Sequence, residues 1–276
     1  MSVFHNNALI GAGGGAAADT GANITKSLRF NSGDSAYLSK TFSSAGNRKT
    51  FTFSCWVKKA VLGVSQVLLD QRGGSPQSDS NLGVFYLKSD NTLEFSGGVN
   101  IFRQTTRVLR DLSAWYHVVL ACDTTSATAD DRVKVYVNGV QETDFANSAT
   151  ISQNFEFSIN QAALHGIGAT SLTSPSAFLD GYLADIYFID GSQLDPTSFG
   201  AFDDSGVWQA AAYSGTFGTN GFHLLDFENE STVGHDSSGN ENDFTAYNFL
   251  AETGQYLDDI TGTQRSGFNW VQMFDG

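Results

Sequence analysis

A dense group of side chains able to carry chemistry lies between Asp226 and Tyr247. Asp226, Glu228 and Glu230 alternate, so on a continuing strand they face one way with Cα atoms about 7 Å apart. Carboxylates at such a separation can act as the acid and the nucleophile of glycoside hydrolysis. Asn229 and Ser231 suggest that the strand is already ending, and a solvated acidic turn is the competing reading. Shortly after comes HDSSGNENDF, His235 to Phe244, in which Asp236, Ser238, Asn240 and Asn242 set oxygen-bearing side chains at every second position. That alternation, with Gly239 allowing a sharp bend, matches the first half of a cation loop. Calcium requires about six to eight oxygens, usually with at least two carboxylates. Asp236 and Asp243 can supply those, which makes Asp236, Ser238, Asn240 and Asp243 the candidate calcium set. Tyr247 stands where an EF-hand needs its glutamate, so an EF-hand is excluded. The bland alternative, which the pattern favours, is an Asx-turn network whose side chains bond their own backbone.

Other groups offer less. Saccharide binding needs an aromatic platform in a concave site. Among Trp56, Trp115, Trp208 and Trp270, the candidates are Trp56, on the polar face of its strand, and Trp208. A tryptophan that covers the sheet against the C-terminal segment explains Trp56 equally well. The histidines His5, His117, His165, His223 and His235 show no paired metal spacing; His117, in an apolar strand, reads as a hydrogen-bonded core residue. Arg103, Arg107 and Arg110 read as a solvated edge or as partners of an acidic neighbour. Gly11 to Ala16 nearly matches a dinucleotide fingerprint, but no strand leads in and Asp19-Thr20-Gly21 ends any helix leading out. Residues 1–23 are therefore taken as a flexible arm, with Phe4, Leu9 and Ile10 its bulky contacts. Cys55 and Cys122 each sit on an apolar alternation; free buried thiols are expected, and a bridge between them stays open.

These side chains must be positioned by strands. The chain has 276 residues, 41% hydrophobic and only 16% charged, with 29 glycines, 3 prolines and 22 phenylalanines. Gly-rich turns around an aromatic core indicate a β-sandwich or barrel. Lys49 to Lys58 alternates Phe51, Phe53, Cys55 and Val57 against Thr50, Thr52, Ser54 and Trp56. Leu82 to Lys88 and Thr92 to Phe95 flank a turn at Ser89-Asp90-Asn91. Trp115 to Cys122 is apolar throughout and predicts a strand buried on both faces. Arg132 to Val137 runs into Asn138-Gly139, the strongest short hairpin signal. Phe178 to Asp190 and Gly221 to Phe227 complete the strand list, and nothing longer than about ten residues shows a helical period. The fold class expected is all-β, an antiparallel sandwich at 24–200 with the arm at 1–23. An extension at 201–276 completes or pads it. The net charge of −14 disfavours nucleic acid and anionic lipid. With no basic leader or long apolar run, the chain reads as soluble, without a recognisable Sec signal or membrane insertion.

FTFSCWVK, then WYHVVLACD with DRVKVYVNGV, then FLDGYLADIYFID follow one another in an order that resembles the laminin G-like, concanavalin A-like jelly-roll family, over about Ile24 to Asp190. The resemblance implies a lectin-like jelly roll. The family's glucanases use an E-x-D-x-x-E strand where this chain has the departing D-x-E-x-E of Asp226, Glu228 and Glu230. FIDGSQLDPTSFGAFDDSGVWQ, GTFGTNGFHLLDF and DSSGNENDF further resemble a run in jelly-roll proteins of bacteriophage virions. In such jelly rolls the last two pieces lie near the N-terminal strand, whereas here they come late, either as a permuted edge strand or as the start of a second module. The resemblance implies a non-enzymatic virion structural protein, a capsid decoration or tail-appendage component, assembled in the host cytoplasm and displayed on the particle. Its partners would be other virion proteins and further copies of itself, a trimer being one form, with the arm as an attachment peptide. A carbohydrate-binding adhesin for host-surface glycan is the alternative and a glycoside hydrolase the third. No cofactor is expected unless calcium occupies the Asp236 loop.

Overall fold

The computed structural model describes residues 24–73, 83–97, 100–171, 174–225, 227, 232–249 and 257–259. Among them, helix is confined to single turns of 3-10 type at Ser32–Asp34, Ala129–Asp131 and Pro196–Ser198, and no helix is long and apolar enough to cross a membrane. The remaining elements are strands β1 (Lys26–Phe30), β2 (Tyr37–Thr41), β3 (Thr50–Lys59), β4 (Gln66–Gly73), β5 (Gly83–Leu87), β6 (Thr92–Gly97), β7 (Asn100–Val108), β8 (Tyr116–Asp123), β9 (Val133–Val137), β10 (Val140–Gln141), β11 (Phe145–Asn147), β12 (Leu164–Ile167), β13 (Gly181–Asp190), β14 (Gly200–Phe202), β15 (Trp208–Ala210), β16 (Phe222–Leu224), β17 (Thr245–Tyr247) and β18 (Leu257–Asp259).

Two eight-stranded sheets carry the fold. The first runs β10-β9-β8-β3-β13-β1-β18, with β16 also pairing β13; the second runs β11-β7-β6-β5-β4-β12-β2-β17. All the pairings are antiparallel, and β14 and β15 form a separate ribbon. This is the expected jelly-roll sandwich.

Sequence alternation decides which side chains enter the core. Along β3 and β8, the register sets Phe51 opposite Cys122, Phe53 opposite Leu120 and Cys55 opposite Val118. These six side chains all join the main core between the sheets. The continuous apolar run of β8 follows from burial on both faces: Val118, Leu120 and Cys122 enter the main core, whereas Val119 and Ala121 belong to a second cluster on the outer face. Both cysteines are free and buried. Their register partners, Val118 for Cys55 and Phe51 for Cys122, place the thiols four residue pairs apart along the ladder, which answers the open question of a bridge.

At the centre of the core, Phe157, from a segment without strand pairing, lies within 5.0–5.8 Å of the rings of Phe51, Phe95, Phe102 and Phe155. Each buried phenylalanine of this kind contributes about 1.5–3 kcal/mol.

The turns behave as their residues require. Asn138 and Gly139 take φ 47° and 79°, the left-handed pair of a type I′ hairpin between β9 and β10. Asn91, at φ 68°, closes the turn between β5 and β6.

After β13 the chain lies across the outer face of the first sheet. Phe199, Trp208, Tyr213 and Phe217 from this crossing segment pack against Trp56, His117, Tyr136 and Tyr187. Beyond it, β16 spans only Phe222–Leu224 of the Gly221 to Phe227 strand expected. The segment then contributes β17 to the edge of the second sheet at β2, and β18 to the edge of the first at β1. The late position of GFHLLDF and DSSGNENDF is thereby accounted for: they lead into edge strands of this same sandwich.

Candidate functional site

The expected platform residues do not form a platform. Trp56 and Trp208 are brought together, but they are 2% and 5% exposed. They share a cluster with Trp115, Tyr182 and Ala210 beneath the crossing segment. His117 lies between them, its ring 5.0 Å from Trp56 and 5.9 Å from Trp208. Trp56 lies on the outer face of β3, and that face is covered rather than open. As placed, neither indole presents a ring face to a sugar; Trp56 and Trp208 pack as the sheet cover that is the alternative reading of Trp56.

His117 is a core residue with both ring nitrogens occupied. Trp208 Nε1 donates to its Nδ1 at 3.1 Å, and its Nε2 lies 2.8 Å from Ser54 Oγ. The acceptor role of Nδ1 assigns the proton to Nε2. Burial lowers the ring's pKa from 6.5 to about 3.

Asp236, Ser238, Asn240 and Asp243 do converge, as an Asx-turn network. Asp236 Oδ1 accepts from the backbone N–H of His223 and Ser238 at 2.8 and 2.9 Å. Its Oδ2 accepts from Ser238 Oγ and the Asn242 N–H at 2.8 and 2.9 Å. Asp243 Oδ1 accepts from the Asp236 N–H at 2.8 Å. The amides of Asn240 and Asn242 donate to carbonyls of Gly218, Thr219 and Gly221. Asp236 is 4% exposed, and its oxygens point at donors of the protein rather than outward. Among the described residues, no group of three or more His, Cys, Asp or Glu is placed to hold a metal ion. Asp226, Glu228 and Glu230, and Phe4, Leu9 and Ile10 of the arm, lie outside the described residues.

An opening with the dimensions of a ligand site lies elsewhere among the described residues. At one side of the sandwich the chain leaves the first sheet as β10 and enters the second as β11, crossing in the three residues Glu142 to Asp144. Beside this crossing is a cleft of about 490 Å³ lined by Arg103, Asp130, Val133, Glu142, Asp144 and Phe145, among others. Its volume falls within the roughly 300–1,000 Å³ of small-ligand sites.

Arg103 is the built element of the cleft. It is 4% exposed, and Nη1 donates to Phe102 O at 2.7 Å, Ser148 Oγ at 3.0 Å and Ala149 O at 3.2 Å. The guanidinium carbon sits 5.4 Å from the centre of the Phe145 ring. On the facing wall, Glu142 is paired with Arg107, Nε to Oε1 at 2.5 Å. Asp144 Oδ2 accepts from Thr106 Oγ1 at 3.1 Å. Burial lowers the pKa of Arg103, opposed chiefly by the nearby Asp130 carboxylate, and the group stays cationic.

Arg107 therefore is the partner of an acidic neighbour that the sequence suggested, whereas Arg103 is not a solvated edge. The available signal was QETDF at 141–145, two carboxylates and an aromatic next to an NG hairpin, but only the sheet order brings it to β7.

The comparisons with known proteins bear on the sandwich. A model of the concanavalin A-like lectin/glucanases superfamily, of laminin G type, matches residues 30–196. No curated protein matches the chain. Among solved structures, the chain is similar to a native heptameric SAP-like pentraxin from Limulus polyphemus, with a TM-score of 0.45, 16% identity, and coverage of 64% of this chain and 79% of that one. It is similar to Trypanosoma rangeli sialidase with a TM-score of 0.39, 16% identity, and 54% of this chain against 22% of that one. It is also similar to the Ruminococcus gnavus IT-sialidase CBM40 bound to α2,3-sialyllactose, with a TM-score of 0.37, 15% identity, and 52% against 85% coverage. With more than half of its length matched, by the part that makes most strands of both sheets, the chain belongs to the concanavalin A-like lectin/glucanase superfamily.

Proposed function

We propose that this chain is a non-enzymatic surface component of a bacteriophage particle, a capsid decoration or tail-appendage protein built on a lectin-like jelly roll. The supporting observation is the segment after β13. The stretches that resemble virion jelly rolls, FIDGSQLDPTSFGAFDDSGVWQ, GTFGTNGFHLLDF and DSSGNENDF, do a single job here. They cover the outer face of the first sheet with Phe199, Trp208, Tyr213 and Phe217, and then lead into β17 at the edge of the second. Such a cover closes the outer face of the first sheet, where a lectin sheet would otherwise lie open. Val140 of edge strand β10 and Tyr247 of edge strand β17 are 49% and 40% exposed, and Phe202 on the crossing segment is 53% exposed, suited to contacts with further copies or other virion proteins.

The test is direct. Particles from the phage or lysogen that encodes the chain are purified, and the chain is quantified by mass spectrometry and located by electron microscopy. The expected result is a fixed copy number and a symmetric position on the particle surface. Recovery of the chain only in the particle-free fraction would overturn the reading.

A second reading, a module that binds host-surface glycan, is favoured by the cleft beside Glu142 to Asp144 and is compatible with the first. It predicts retention of the purified chain on host polysaccharide without release of reducing sugar.

A further inference from the structure

We propose that the cleft at the crossing between the two sheets is a subsite for a neutral, hydroxyl-rich saccharide, and that its side chains select against acidic sugars. The inference rests on the glycan-binding reading above and names the ligand class and the residues.

Three features carry it. First, Arg103 is a fixed donor. Nη1 is held by two carbonyls and a hydroxyl, and neither Nε nor Nη2 has a hydrogen-bond partner among the described residues. A buried guanidinium so oriented loses little freedom when it meets a hydroxyl oxygen. Second, Asp130 and the Oδ1 of Asp144 are acceptors with no hydrogen-bond donor among the described residues, while Glu142 is engaged by Arg107. Sugar hydroxyls both donate and accept, so a cleft with a rigid donor on one wall and free carboxylates on another suits adjacent hydroxyls. Third, the half-buried Phe145 supplies apolar surface for the C–H face of a pyranose.

Charge decides the class. With Glu142 neutralised by Arg107, the groups left facing the cleft are one cation, Arg103, and two anions, Asp130 and Asp144. A carboxylated or sulfated sugar would gain Arg103 and meet both carboxylates, on a chain of net charge −14. A neutral sugar meets only hydrogen-bonding partners.

The experiment is titration calorimetry of the full chain with neutral trisaccharides (maltotriose, cellotriose, mannotriose) and with acidic ones (sialyllactose, trigalacturonate). Asp144→Asn and Phe145→Ala are compared with the unaltered chain; Asp144 is exposed and Phe145 half-buried, and unchanged melting temperatures confirm the fold. At least one neutral sugar is expected to bind and to weaken about tenfold in each variant, with acidic sugars weaker than neutral ones. Absence of binding to every neutral sugar, binding undiminished in both variants, or preference for an acidic sugar would overturn the proposal. Particle location is scored separately. A chain found on particles without cleft binding leaves the virion reading standing and removes the subsite. Polysaccharide retention that survives both variants removes the subsite but keeps glycan binding.

Discussion

The indole N–H of Trp208 meets Nδ1 of His117 at 3.1 Å, joining the crossing segment to the second strand in from the hairpin edge of the first sheet. The bond makes the imidazole an acceptor on one side and leaves Nε2 to serve Ser54. Trp208→Phe keeps most of the apolar area but deletes the donor, leaving a buried nitrogen unsatisfied. A loss of about 1–3 kcal/mol is expected in urea unfolding. A Phe variant as stable as the parent would show that the bond adds nothing.

The same burial sets a pH dependence. His117 titrates at about 3 and His165, also buried, at about 4, both lowered from 6.5 by desolvation. In the unfolded chain each ring takes up a proton once the pH falls through about 6.5, while the folded rings stay neutral. The unfolded state then binds more protons. Stability is therefore full above about pH 6.5 and declines towards pH 4, by up to about 1.4 kcal/mol per pH unit for each ring. Thermal unfolding followed from pH 7.5 to 4.5 checks it, and His165→Gln should flatten the decline.

Asp236 is the hub of its loop, accepting from His223, Ser238 and Asn242. Asp236→Ala would strand several donors at once, with an expected cost of at least about 3 kcal/mol. Calcium and EDTA are expected to leave the melting temperature of the parent unchanged, because a ligand stabilises only by binding the folded state. A rise with calcium would reverse the reading of this loop.

Phe157 has no strand to hold it and packs against four aromatic neighbours. Phe157→Ala is expected to cost about 3–5 kcal/mol. Phe157→Leu, which keeps most of the volume, should recover much of that in the same measurement.

Cys55 and Cys122 are buried and free, with thiol pKa values pushed up by desolvation. Labelling by a thiol reagent in native buffer should proceed only as fast as the protein opens. Two groups that react immediately would contradict the placement of β3 and β8.

The sandwich could be read in the sequence wherever a strand has one face inward. The Phe51, Phe53, Cys55 and Val57 alternation, the two-sided burial of Val118 to Cys122 and the Asn138-Gly139 turn each have a local cause that the residues state. What covers the second face of a sheet has no such local cause. Trp56 reads equally as a platform and as a cover against the C-terminal segment, because alternation distinguishes two faces without saying what packs on either. The cleft was hidden for a similar reason. Arg103 and Phe145 stand far apart in the chain and meet through the pairing of β7 with β11. Register shifts in β7, near Gln104 and Arg103, also blur the two-residue period that would have marked Arg103 as inward.

The edge strands bear on how the protein comes to be. β1 and β2 are among the first described strands to be synthesised, yet Leu28 pairs with Leu183 and Leu257, and Tyr37 with Tyr247. Until residues 245–259 have emerged from the ribosome, both sheets keep a bare row of amides and carbonyls on the same side. Such long-range closure folds slowly, and an unfinished chain presents an edge to which another copy can add. Nascent chains made in quantity are thus at risk of pairing with one another before they pair with themselves. Production should favour conditions that slow encounters between chains, low temperature and a modest rate of synthesis, over those that merely stabilise the finished fold.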